Sequence, residues 1–151
     1  MRVRDLTTVG RPLEREYATN RAIAATTAAT AVGSTLWTRF AGTTWAASLL
    51  WGVQVGLTLF LTWALCRELD PDRPLGAFVA AGLALPIALY CGLPELGVIT
   101  WLLIVLRVVN RTAGLSAGVL DVLGLVGLSA FVSMQGNWGY GVITALAFFL
   151  L

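Results

Sequence analysis

Histidine is absent from these 151 residues, and so is lysine. The first absence removes bis-histidine haem ligation, histidine metal sites and the usual proton shuttle. The second removes Schiff-base chemistry, that of retinal and pyridoxal phosphate included. Charge of either sign is scarce, at 12% of the residues, where soluble domains carry about a quarter. Only two cysteines occur, Cys66 and Cys91, neither with metal-binding company nearby. There is no Walker loop and no dinucleotide fingerprint. The serines have no basic neighbour, so no set of nucleophile, base and orienting group can be assembled. No catalytic residue, metal or cofactor is expected, and the balance leans away from an enzyme. A net charge of +2 without a long basic run also excludes nucleic acid as a partner.

What the chain has in abundance is apolar surface. The apolar set makes up 58% of the sequence, and the mean hydropathy is +0.81. A water-soluble protein of this length could not bury so much, because small domains leave a large share of their surface exposed. The excess must face lipid. The first residues carry Arg2, Asp5, Arg11, Glu14, Arg15 and Glu16 with no short apolar core, which is not the pattern of a cleavable signal peptide. Arginine standing everywhere for lysine reads as GC-rich coding; the expected source is prokaryotic.

Four stretches, 43–66, 75–92, 94–112 and 115–134, are long and apolar enough for a hydrocarbon core of about 30 Å. A fifth, 137–151, is apolar but reaches only about 22 Å as a helix. Either it lies in thinned membrane or the chain continues beyond Leu151. Segment 22–37, rich in Ala and Thr, is ambiguous, and the arginines arbitrate. If it spans, Arg39 alone faces nine other arginines across the membrane; if it lies on the surface, six face four. Only the first arrangement obeys the excess of basic residues in cytoplasmic loops.

The expected fold is therefore all-α: a polytopic transmembrane bundle of six spans, built as three sequential antiparallel hairpins. A cytoplasmic N-terminal segment, 1–21, precedes a bundle over 22–151, in the cytoplasmic membrane. Five spans plus an interfacial helix is the runner-up. Every connection is short, which makes consecutive helices antiparallel neighbours.

Aromatic side chains follow the same frame. Trp37, Phe40, Trp45, Tyr90, Trp138 and Tyr140 gather near the outer interface, where such rings prefer the headgroup level, and Trp63 is an inner exception. Small residues mark close helix contacts: Gly52 and Gly56 form a GxxxG, Gly114 and Gly118 repeat it, and the first span offers Ala25, Ala29 and Gly33. Packing within the chain is the expected use, with homo-oligomerisation as the alternative. The segment after Thr62-Trp63 faintly echoes that after Thr100-Trp101, more as coincidence than as a repeat.

Few polar groups lie deep. Asp121 is the one carboxylate well inside an apolar stretch, and intramembrane charges usually have a partner or a role. Arg107 should lie at similar depth across a tight hairpin, so an Arg107–Asp121 ion pair is expected, as a structural lock rather than a gate. Gln54, between Gly52 and Gly56, is expected to hydrogen-bond a neighbouring helix. The inner loop holds Arg67, Asp70, Asp72 and Arg73. Its acidic spacing lacks the features of a calcium loop, and Asp70 or Asp72 reads better as a helix cap. With Asn110 and Arg111, this loop is the candidate for lipid-headgroup binding. Asn110-Arg111-Thr112 matches a glycosylation sequon, but on the inner side.

Three functional readings follow. The first is a small transport-type protein or a membrane subunit of a larger complex, with a polar path near Gln54, Arg107 and Asp121. The second is a headgroup-binding protein or enzyme at the inner face. The third is a purely structural or accessory membrane protein. The bilayer is the partner in all three, with a homo-oligomer or larger complex around it in the first.

Overall fold

The computed structural model describes residues 16–110, 119–135 and 137–149. Among these there are six helices and no strand: α1 (Ala18–Phe40), α2 (Trp45–Leu69), α3 (Pro74–Cys91), α4 (Leu96–Asn110), α5 (Val119–Met134) and α6 (Gly139–Phe149). The described residues divide into two compact units, one with α1–α3, up to residue 96, and one with α4–α6, from residue 97 onward.

In the first unit, α2 packs against both α1 and α3. The connections of four residues between these helices make them antiparallel. Helix α1 closes with a Schellman turn at Gly42, whose φ of +95° only glycine adopts without strain. Gly42 N–H donates to the Arg39 carbonyl at 3.1 Å, and Thr43 N–H to that of Thr38 at 3.2 Å. Thr44 then caps α2, its hydroxyl accepting from Ala47 N–H. Helix α3 starts with Pro74 in its first turn, where the missing N–H does no harm.

The expected cap on α3 from Asp70 or Asp72 is not made. Arg73 holds the N-cap position without a side-chain hydrogen bond, and Asp70 instead ends α2, its N–H donating to the Cys66 carbonyl at 2.9 Å. The physical reason is that α2 runs three residues past 66 and leaves a loop of only four residues. Pro74 then enters its helix directly.

Gly52 and Gly56 pack within the chain, against α1. A Cβ on Gly52 would fall on Thr35 Oγ1 and the Ala31 carbonyl, and one on Gly56 would sit 2.9 Å from Ala31 Cβ. The contact face of α1 is thus Thr27, Ala31 and Thr35. Ala25, Ala29 and Gly33, the face favoured from sequence, point outward and are exposed. One of the two threonines on this face is compact by back-bonding, although the buried Thr27 hydroxyl has no hydrogen-bond partner. Thr35 Oγ1–H donates to the Ala31 carbonyl at 2.8 Å, and so occupies no more space than its methyl group requires.

Helices α2 and α3 are long and apolar enough to cross a membrane. Helix α1 has the length without the apolarity, while α4, α5 and α6 are apolar but shorter. Only 11% of the apolar window of α3 is buried, so most of its apolar surface faces outward. It turns Ala77 and Ala81 inward and exposes Leu75, Val79, Leu83 and Ile87.

In the second unit, α5 and α6 approach each other closely. Helix α4 meets them through side chains. Its Trp101, Val105 and Val108 form a core with Leu125, Val132 and Ala147.

Candidate functional site

The most developed polar cluster lies in that core. Trp101 Nε1–H donates to both Ser129 Oγ and Thr144 Oγ1, each at 2.9 Å. The two hydroxyls are 2.7 Å apart. Ser129 Oγ also lies 2.6 Å from the Leu125 carbonyl, and Thr144 Oγ1 2.9 Å from that of Tyr140. Three protons serve these five close approaches, so every donor is engaged. The Tyr140 ring meets Trp101 edge-on, with centroids 5.0 Å apart. One indole thereby joins α4, α5 and α6. A cluster with no spare donor suits fixed packing better than catalysis.

Sequence reasoning used Trp101 only as half of an echo and passed over Ser129 and Thr144. The available signal was position: Trp101 lies inside an apolar stretch, not at its end where rings usually anchor. The echo carries no common chemistry. Trp63 is equally buried, but it packs between Phe60 and Phe78, and its Nε1–H has no hydrogen-bond partner.

Asp121 is buried in the first turn of α5, and Arg107 is half-buried in the last turn of α4. Trp101 pairs with Ser129, and Gly97 lies against Phe131 and Val132. Carried along the antiparallel hairpin, that register sets Asp121 level with residues 107–109. Arg107 is thus within about 3 Å along the axis, at roughly 1.5 Å per residue. Neither side chain is without a partner.

Gln54 is half-buried on α2, turned away from the glycine face that meets α1. Its carbonyl accepts the Thr58 hydroxyl at 2.9 Å. Thr62 repeats the pattern onto the Thr58 carbonyl at 2.7 Å. These threonines satisfy themselves within the helix.

In the loop after α2, Arg73 and Asp70 form a 3.8 Å ion pair, with side chains 84% and 54% exposed. Such a pair contributes little. Arg67 lies 5.9 Å from the Trp63 ring centre and donates to the Pro71 carbonyl at 3.5 Å. Asp72 is exposed, and Asn110 ends α4 with a partner of its own. Arg111, Gly114, Gly118 and the arginines before Glu16 lie outside the described residues. Among the described residues no group of acidic and cysteine side chains could hold a metal ion.

The two ends of the first unit differ sharply. Arg21, Arg67 and Arg73 mark one; exposed Trp37, Phe40, Trp45 and Tyr90 mark the other, with Arg39 among them. In the second unit Trp138 is exposed, whereas Tyr140 belongs to the Trp101 cluster. No protein-family model, curated protein or solved structure matches this chain.

Proposed function

We propose that this chain is a six-span protein of the cytoplasmic membrane, with a cytoplasmic N-terminus, acting as a membrane subunit of a larger complex. The opposed arginine and aromatic ends of α1–α3 support the threading, since basic residues favour the cytoplasmic side and indoles the headgroup level. Placing single cysteines on a background with Cys66 and Cys91 replaced by serine tests it. A membrane-impermeant maleimide is expected to label Ala41→Cys from outside, and Glu16→Cys and Asp72→Cys only after permeabilisation. Labelling of positions 16 and 41 from the same side would leave α1 on the surface and end the six-span reading.

One observation carries the subunit role. The outward face of α1 is mostly small, with Ala22, Ala25, Ala29 and Gly33; its larger exposed apolar side chains, Val32 and Leu36, come only in its second half. Small-residue faces favour protein neighbours, since packing drives helix association in membranes. Extracted in mild detergent from its native membrane, the chain is expected in a particle well above its 16.1 kDa monomer mass by native mass spectrometry. A bare monomer under conditions that preserve other membrane complexes would refute this role.

Within that proposal, Arg107 and Asp121 form the lock of the α4–α5 hairpin, supported by their similar depth. A transport-type role instead requires a path shared by Gln54 and Asp121, and would appear as ion or solute flux in proteoliposomes. The headgroup reading at the inner face draws on the exposure of Arg73.

A further inference from the structure

Arg39 is the one arginine at the aromatic end of α1–α3, and its surroundings are unlike those of the inner arginines. It stands in the last turn of α1, where a cation is favoured by the helix dipole. Its guanidinium carbon lies 5.1 Å from the centre of the Trp45 ring, and Nη1 donates to the Thr43 carbonyl at 3.4 Å. The Schellman turn that aims this carbonyl is fixed by Gly42 and by the Thr43 hydroxyl, which donates to the Thr38 carbonyl at 2.6 Å. Arg39 Nε is buried and has no hydrogen-bond partner. No carboxylate pairs with Arg39 among the described residues; Glu95, before α4, is exposed and lies beyond ion-pair distance. A held, half-buried cation without a counter-anion is an incomplete site.

The surroundings say which anion completes it. Trp45 is exposed beside the guanidinium; Trp37 and Phe40 are exposed in the same stretch of α1, and Leu36 and Leu49 lie exposed one turn further into α1 and α2. Planar guanidinium suits phosphate oxygens. Indoles suit the level of the glycerol backbone, and leucines below them suit acyl chains. The Trp45 and Ala46 N–H groups at the start of α2 add positive potential on the same turn.

We infer that Arg39, Trp45 and the 41–44 turn bind the phosphodiester of an anionic phospholipid, with its chains along Leu36 and Leu49. This rests on the membrane reading above, and under that topology the lipid is in the outer leaflet. The full chain in neutral detergent, titrated with phosphatidylglycerol and followed by native mass spectrometry, provides the test. Arg39→Gln is expected to weaken binding by at least about tenfold, the loss of one charge-assisted contact. Arg39→Lys keeps charge without the planar fork, so it should fall between the two. Arg73→Gln should bind as the parent does, and diacylglycerol, which lacks the phosphate, should bind as weakly as phosphatidylglycerol does to Arg39→Gln.

Equal binding by Arg39→Gln, or an equal loss in Arg73→Gln, would overturn the site. Displacement of the lipid by excess inorganic phosphate would overturn the lipid assignment in favour of the free anion. If Arg39→Gln does not fold, the comparison of Arg39→Lys with Arg73→Gln decides: parental binding by Arg39→Lys then counts against the planar fork. Because binding is read in detergent, it separates from the topology. Inside labelling at position 41 with intact lipid binding would move the site to the other leaflet without removing it.

Discussion

Trp101→Ala is expected to destabilise the α4–α6 unit by about 3–5 kcal/mol, the range for emptying a large buried aromatic site. Trp101 is only 3% exposed and is the side chain that joins α4 to both other helices. Trp101→Phe keeps most of the ring and loses the N–H. Its cost should be nearer 1 kcal/mol, as for a typical interhelical hydrogen bond in a membrane. Ser129 and Thr144 would still reach the Leu125 and Tyr140 carbonyls, so no donor is orphaned. The hydroxyls give the sharper result. Ser129→Ala or Thr144→Val alone leaves the indole one acceptor, but the two together leave a buried N–H with none. The double variant should therefore lose more than the sum of the singles, by roughly 1–3 kcal/mol. Equilibrium unfolding in mixed micelles measures all five. Additive losses would mean that the indole finds another acceptor and is not the centre of the unit.

Helix positions were legible in the sequence because they rest on long apolar runs and their breakers. Stretch 75–92 became Pro74–Cys91, and 43–66 became Trp45–Leu69. Pro71 and Pro74, and the turn at Gly42, set those ends in both readings. Which face of a helix packs was less legible. The face of α1 with the fewest side-chain atoms was the obvious partner for Gly52 and Gly56. The structure uses the face with Thr27, Ala31 and Thr35; Thr35 folds its hydroxyl back onto the Ala31 carbonyl and so is nearly as compact as valine, whereas the buried Thr27 hydroxyl makes no such bond. The position of Trp101 marked it as a buried ring, but its partners were illegible for a different reason. Ser129 and Thr144 lie 28 and 43 residues away in the chain, and nothing local in the sequence marks such a convergence. The Arg107–Asp121 pairing is a proposal from depth, since spacing along a chain fixes the level of two side chains but not the direction in which each points.

Gly52→Ala is expected to destabilise α1–α3 despite alanine's better helix propensity. Relief of glycine's backbone entropy is worth about 1 kcal/mol. Against it, the new methyl would overlap the Ala31 carbonyl and Thr35 Oγ1, and overpacking costs roughly 1–3 kcal/mol. The neighbour decides which term wins. A carbonyl in the middle of a helix cannot swing aside, and the Thr35 hydroxyl is bonded to that same oxygen. Thr35→Ala in the Gly52→Ala background should accordingly restore only part of the loss. Gly56→Ala should cost less, since its nearest neighbour, Ala31 Cβ, is 2.9 Å away and the Thr27 carbonyl 3.2 Å, but Ala31 Cβ is fixed to its backbone, so α1 must still shift. Gly33→Ala and Gly82→Ala have nothing within 4 Å and should gain roughly 0.5–1 kcal/mol. Gly52→Leu, with four added carbons, should part α1 from α2 altogether. Thermal unfolding in detergent, read beside oligomer size, separates the two uses of the GxxxG. If it joins α1 to α2, Gly52→Ala lowers the melting temperature at unchanged particle mass. If it instead joined two copies, the particle would halve in mass and α1–α3 would melt as before.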